Sequence, residues 1–384
     1  MTKRQIPFVD PVIETEELQG VKEVIKSKWL VEGKVARKLE KEFQKFTGTK
    51  FAITTSNGTV ALHLAMEAAG ISPGDEVITT PFTFIASANS ISFVGGIPVF
   101  VDIDPKTWNI DPDKIRKAIT PNTKAILPVH IFGLPANMPE IMEIAEEHGL
   151  IVIEDAAQAH GARINGKHVG GFGDIGCFSF YATKNMIAGE GGMVVTNDNE
   201  LRDKLDSLKN HGRPKQGGYS HLRIGFNYRT TDLCAAIALA QLRKLPHLLE
   251  RRAKNAEMLR KTIDELKALT YQQVPKGFQH ANYVFAVKAE TKNKVDELIE
   301  FLRKRNVLSR RIYSTLAYQQ PAYQNISEWR WAKCVSYPNY AKINLPVAEE
   351  IAVTHAEIPV VPTLSEHEVE QISEALQEWE NRGS

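Results

Sequence analysis

Lysine is the side chain that condenses with an aldehyde to form an imine, once it sheds a proton from an ordinary pKa of about 10.4. Lys184 is placed for that chemistry. It closes the run Ser179-Phe180-Tyr181-Ala182-Thr183-Lys184-Asn185 at the end of an apolar stretch and precedes Gly189-Glu190-Gly191-Gly192. A carboxylate pair, Glu154-Asp155, follows the apolar run 151–153. An acid at the carboxyl end of a buried strand points into the crevice where open α/β sheets bind ligands. Between a further apolar run and a helical pattern lies Ser56-Asn57-Gly58-Thr59. Free N–H groups and the positive dipole end make such a helix start an anion site, and Gly58 lets the anion approach. The fourth feature, Gly225-Phe226-Asn227-Tyr228-Arg229, stands just ahead of a long apolar-periodic stretch.

Alone, each feature has a plainer reading: a solvated lysine, a surface acid, an N-cap by Ser56 or Asn57, a cap with a surface charge. Their order says more. The turn, the acid and the lysine each follow an apolar run, so a parallel sheet brings all three to one edge. There they supply an anion cradle, a carboxylate to keep a ring nitrogen protonated, and an amine. One common ligand that needs all three is pyridoxal 5'-phosphate (PLP).

The elements that must position these residues are readable as periodicity. Runs 51–55, 76–80, 97–101, 125–129 and 151–155 are apolar on both faces, as strands buried between helix layers are. Helical segments at 59–69, from 84, at 113–119 and at 139–148 alternate with them. The expected fold class is therefore α/β, a three-layer αβα sandwich on a mostly parallel sheet. After Gly170, segments 176–182 and 192–196 read as two strands joined by a turn. A helix at 232–249 meets the more basic stretch Glu250-Arg251-Arg252-Ala253-Lys254, where the domain boundary is expected. That divides a large PLP-binding domain, 1–249, from a smaller C-terminal α+β domain, 250–384. The latter carries a strand at 283–287 and helices at 294–304 and 366–379.

Composition narrows the function classes. With 43% apolar and 24% charged residues and a formal charge of +1, the chain reads as a soluble globular protein without the basic excess of a nucleic-acid binder. No apolar run reaches the roughly 18 residues that a membrane helix needs. Lys3 and Arg4 have no apolar stretch behind them, so no secretory leader is expected and the protein is expected in the cytoplasm. Cys177, Cys234 and Cys334 are too scattered for a disulfide framework, and the 11 histidines show no zinc-ligand spacing; no metal is expected. Gly171-Phe172-Gly173-Asp174-Ile175-Gly176 spells a dinucleotide fingerprint, but that needs a helix to follow, and 177–182 reads as a strand. A glycine-rich bend is the better account.

Several segments also carry a resemblance: SNGTVALHL at 56–64, GDEV at 74–77, TFIA at 83–86, EDAAQAHGA at 154–162, SFYATKN at 179–185, GEGG at 189–192 and GFNYR at 225–229. Over nearly its whole length the chain resembles the DegT-type sugar aminotransferases, PLP enzymes of fold type I. That resemblance implies Lys184 as the Schiff-base and proton-transfer lysine, Asp155 on the ring nitrogen and Gln158 near the ring hydroxyl. It puts Gly58, Thr59 and Ser179 on the phosphate, Phe84 against the ring, and Asn227 on the phosphate of a neighbouring subunit, hence a homodimer with shared active sites. It also implies a two-stage transamination. An amino acid, glutamate, gives up its amino group, and a keto sugar takes it, nucleotide-linked and aminated at its 3- or 4-position.

Two positions depart from the family pattern. Tyr181 stands where many members have histidine, and Leu316-Ala317-Tyr318-Gln319-Gln320-Pro321 stands where Pro-Leu-His-Leu-Gln-Pro is frequent. The latter puts Tyr318 at the histidine position of a segment expected to face the acceptor. A cyclitol ketone remains an alternative acceptor. Sugar dehydratases of the same family use the pyridoxamine form and carry histidine where this chain has Lys184. A protein that holds PLP without turnover shares these residues and is told apart by steady-state assay.

Overall fold

The computed structural model describes residues 4–214 and 218–383. Two helices lead, α1 (Thr15–Ser27) and α2 (Lys34–Thr47). Strands and helices then alternate: β1 (Phe51–Thr55), α3 (Gly58–Ala69), β2 (Glu76–Thr79), α4 (Ala86–Phe93), β3 (Ile97–Phe100), α5 (Pro112–Ala118), β4 (Thr123–Leu127), α6 (Met138–His148) and β5 (Ile151–Asp155). A two-residue pair follows, β6 (Arg163–Ile164) and β7 (Lys167–His168), and then β8 (Ile175–Ser179), β9 (Gly192–Thr196), α7 (Asn199–Lys209) and α8 (Asp232–Asp264).

Seven strands form one sheet in the order β1-β9-β8-β5-β4-β2-β3. All its pairings are parallel except those of β9, which runs against both β1 and β8. One face buries α3, with Leu64 and Ala65 against Ile53, Ile153 and Cys177. The other buries α2 and α8, with Leu39, Phe43 and Leu242 against Phe178 and Val195. Burial from both sides explains the unbroken apolar runs; every residue of β8 and β9 is buried.

The antiparallel strand fixes what meets at the sheet edge. Gly192 of β9 lies opposite Thr55 of β1 on one side and Ser179 of β8 on the other. Asp155 of β5 lies opposite Cys177. The carboxyl ends of β1, β5 and β8 thus come to one edge within a residue or two of register. A side chain at 192 would spoil it, because a Cβ there would stand 2.5 Å from the Asn57 carbonyl oxygen.

Helix α8 spans 33 residues, with Pro246 inside it, and runs straight through position 249, where the sequence pattern suggested its end. Its first half packs on the large sheet through Ala235 to Leu245. The second half packs through Ala256, Leu259 and Ile263 on a smaller core. That core belongs to a three-stranded antiparallel sheet, Leu269–Tyr271, Phe285–Ala289 and His355–Ile358, covered by helices Lys292–Lys304 and Glu366–Gly383. The amino-terminal end joins it too, since Ile6 bridges Val307 and is buried there.

The glycine-rich bend has a physical reason. Glu154 is fully buried, and the loop after β7 folds round its carboxylate: the N–H groups of Gly170, Phe172 and Gly173 each donate to it at 2.7 Å. His130 takes an N–H from Ala136 on Nδ1 and so presents its Nε2 proton to Glu154 at 3.0 Å. Burial pushes the Glu154 carboxyl up, but the bonds from His130 and the backbone outweigh it and hold it below 4.5. A strand, β8, follows the bend, so it is not a dinucleotide fingerprint.

Glu154→Ala should therefore cost about 3 kcal/mol or more in urea unfolding at pH 7, since it strands several buried donors. Because the folded pKa is depressed, the wild-type advantage should be full above about pH 4.5 and fade as pH falls through the folded value.

Candidate active site at the carboxyl edge of the sheet

The cradle forms where β1 turns into α3. Asn57 caps the helix, its side-chain oxygen accepting from the Val60 N–H at 2.9 Å and its carbonyl from Ala61 at 3.1 Å. Among the described residues the N–H groups of Gly58 and Thr59 donate to no protein acceptor. Ser179 comes up against them from β8: a Cβ on Gly58 would stand 2.7 Å from its Cβ. The Ser179 hydroxyl accepts a long bond, 3.3 Å, from the Tyr181 N–H and keeps its proton free. Two free amides at a helix start and a free hydroxyl make a phosphate site.

Asp155, at the end of β5, is buried. Ser87 donates to its Oδ2 at 2.7 Å and the Ala157 N–H to its Oδ1 at 3.1 Å; Thr83 bonds Ser87 in turn at 2.9 Å. Burial pushes this carboxyl up, against the pull of Ser87, Ala157 and the Lys184 charge. A buried acid so poorly compensated is suited to a cation. Three residues on, Gln158 accepts from the Phe132 N–H at 2.8 Å and donates to the Tyr313 hydroxyl at 2.9 Å. Phe84 leads into α4 with 59% of its surface exposed, so its ring is available to a ligand.

Lys184 lies in the connection from β8 to β9. That connection folds back on itself, with Phe180 donating to the Gly191 carbonyl, Ala188 to Phe180 and Lys184 to Tyr181. The Lys184 amine stands over the face of Tyr283, 4.4 Å from the ring centroid, while Thr183 bonds the Tyr283 hydroxyl at 3.1 Å. Buried Arg252 of α8 donates to the Asn282 and Tyr283 carbonyls and pins that wall. His160, between Phe178 and Phe180, is pushed down to about 3 by burial, with the Lys184 charge adding, and stays neutral.

Of the residues singled out from sequence, Gly58, Thr59, Phe84, Asp155, Gln158, Ser179 and Lys184 all stand along this edge. Asn227 does not join them within the chain. Its neighbours are anchored, Tyr228 accepting from the Ser56 N–H at 3.0 Å, but Asn227 itself is exposed. Tyr318 turns away from the site: it is buried against Phe100 and bonds Glu349. Sequence reasoning missed Ser87, Tyr283 and Tyr313. Ser87 adjoins the TFIA segment and had a signal; the two tyrosines come from the small lobe and had none.

The fold and the site define the class: a PLP-dependent aminotransferase of fold type I. The chain belongs to the DegT/DnrJ/EryC1/StrS aminotransferase family, which matches residues 11–377. It is 37% identical over 377 residues to a GDP-perosamine synthase of Escherichia coli O157:H7, covering 98% of this chain and 99% of that one. With a UDP-N-acetyl-3-dehydro-alpha-D-glucosamine 3-aminotransferase of Acidithiobacillus ferrooxidans it shares 38% over 379 residues, covering 97% of each. Among solved structures, S. venezuelae DesV in complex with a ketimine intermediate superposes with a TM-score of 0.89 at 33% identity, covering 98% of this chain and 99% of that one.

The residues present fit the cofactor: free amides and a hydroxyl for its phosphate, a buried acid for its ring nitrogen, an exposed aromatic ring and an amine. When bound, the cofactor supplies an electron sink for the carbanion formed on a substrate.

An acid held for a cation is a cost without it. The folded pKa of Asp155 lies above the unfolded 3.8, so its charge destabilises the cofactor-free fold increasingly as pH rises through the folded value. Cofactor-free Asp155→Asn should melt above wild type at pH 8, with the gap closing toward pH 4, and should lose transamination. Differential scanning fluorimetry across pH checks the first point.

Proposed function

We propose that this protein moves an amino group from glutamate to a nucleotide-linked keto sugar, at its 3- or 4-position, in amino-sugar synthesis. The observation that carries the reading is Lys184 at the same sheet edge as Asp155 and the free amides of Gly58 and Thr59. Two relatives named for nucleotide-sugar products and substrates support the acceptor class.

Each residue has a part. Gly58, Thr59 and Ser179 hold the phosphate, Asp155 keeps the ring nitrogen protonated, Gln158 meets the ring hydroxyl, and Phe84 covers one ring face. Lys184 would hold the cofactor at rest and, once released, take up and return the proton at the amine-bearing carbon of the substrate, its amine kept over Tyr283. The smaller C-terminal part, 250–384, brings Tyr283 and Tyr313 to the site and closes it from one side.

The working unit is a homodimer in the cytoplasm. Asn227 is exposed, and its segment also carries Tyr219 and Ile224, each 93% exposed; Trp29, Leu30 and Val31, on the stretch that bridges Thr231, face outward too. Apolar exposure on that scale marks an interface. No helix among the described residues is long and apolar enough to cross a membrane.

Lys184→Ala should abolish turnover with glutamate and a panel of nucleotide keto sugars while remaining a folded dimer; normal turnover by that variant contradicts the assignment. Asn227→Ala, if Asn227 serves the partner's site, should be weak alone yet complement Lys184→Ala. Equal mixing after subunit exchange should restore about a quarter of wild-type activity, since half the dimers carry one intact site of two. No recovery in the mixture would place Asn227 outside the shared site.

A further inference from the structure

Tyr313 reaches the site from the small lobe, in the segment between helix Lys292–Lys304 and Leu316. Its backbone is left-handed, φ 57°, a conformation costly for an aromatic residue. The ring is held on two sides, stacked on Phe132 at 6.2 Å and 14° and edge-on to Phe82 at 6.0 Å. That much could be packing. The hydroxyl is different.

Gln158 has its amide orientation settled by Phe132, whose N–H must meet the side-chain oxygen at 2.8 Å. The amide nitrogen therefore faces Tyr313 and donates to the phenol oxygen at 2.9 Å. The phenol oxygen is thus an acceptor there, and its own proton has no acceptor among the described residues. Burial, with Tyr283 and Asp155 adding, holds this phenol far above its ordinary range, so the proton stays on. The hydroxyl is part-buried, held against Gln158 with its proton turned toward the site, where a bound ligand can take it.

The ligand is narrowed by the neighbours. Gln158 is the residue assigned to the cofactor's ring hydroxyl, and its second amide proton is free for that oxygen. The titratable groups about Tyr313 are Asp155 on β5, Tyr283 and Glu357 from the small lobe, Lys184 beside Tyr283, and His355, which packs on Phe132 and is pushed down to about 4 by burial. None of them accepts the phenol proton. We propose that Tyr313 donates its hydroxyl proton to the ring oxygen of the bound cofactor, side by side with Gln158. The small lobe then supplies a cofactor-binding residue, and docking of the two lobes is part of cofactor tuning. The proposal rests on the cofactor assignment above.

A donor to an oxyanion favours the charged oxygen and so lowers the proton affinity of the imine nitrogen that shares its charge. Tyr313→Phe keeps the ring and its stacking and removes that donor. The test is a pH titration of the visible absorption of the lysine-bound cofactor in wild type and Tyr313→Phe, with melting of both cofactor-free proteins alongside. The spectral midpoint of the variant should rise by about one pH unit, a tenfold gain in proton affinity. Its PLP dissociation constant should rise several-fold, and the cofactor-free melting points should agree. Coincident midpoints would overturn the Tyr313 assignment alone, even if KM for either substrate changed. A wild type with no such absorption after incubation with PLP would overturn it together with the cofactor assignment.

Discussion

Asp155 sits at the end of a central strand with its carboxylate out of water, and the pull of Ser87, Ala157, Lys184 and His130 does not offset its desolvation. Everything at the sheet edge is arranged around that debt. Its neighbour Glu154, equally buried, is satisfied four times over, by three backbone N–H groups and His130. The contrast separates a structural acid from a functional one on adjacent positions of one strand. Glu154 organises the bend that leads into β8; β8 delivers Ser179, and the connection after it carries Lys184. Asp155 keeps an uncompensated carboxylate that suits a cation, and the proposed one is the ring nitrogen of the cofactor.

The antiparallel strand β9 makes this economical. Had β8 been followed by another helical crossover, Lys184 would have been carried away from the sheet edge. Instead the chain turns back at once, the Gly189 to Gly192 segment bonds to Phe180, and the lysine stays within the loop that this pairing closes. On the far side α8 ties the lobes together as one continuous helix. Arg252, in its second half, holds the backbone of Asn282 and Tyr283 against Lys184. Cofactor chemistry and lobe packing thus share residues.

Much of the edge was legible in sequence because it is built from local patterns. Apolar runs gave the strands, and the turn, the acid and the lysine at their ends are the groups that the structure brings to one edge. What was not legible depends on long-range packing. No motif marks helices α1 and α2, although α2 is amphipathic, with Ala36, Leu39 and Phe43 on its buried face. The apolar period of α8 stops before the helix does, because its surface turns polar after Leu249 where it passes from one core to the other. Tyr313 meets Gln158 across 155 positions, and nothing near either residue announces the contact. Tyr318 looked like the acceptor-facing residue by its position in a motif, yet it fills the aromatic core around Phe100 and Tyr340.

The most direct measurement is the absorbance spectrum of the purified protein after incubation with PLP, followed by addition of glutamate. A band near the visible edge is expected from cofactor held on Lys184, with its collapse when glutamate donates its amino group. No band in the wild type, or the same band in Lys184→Ala, would contradict the cofactor assignment.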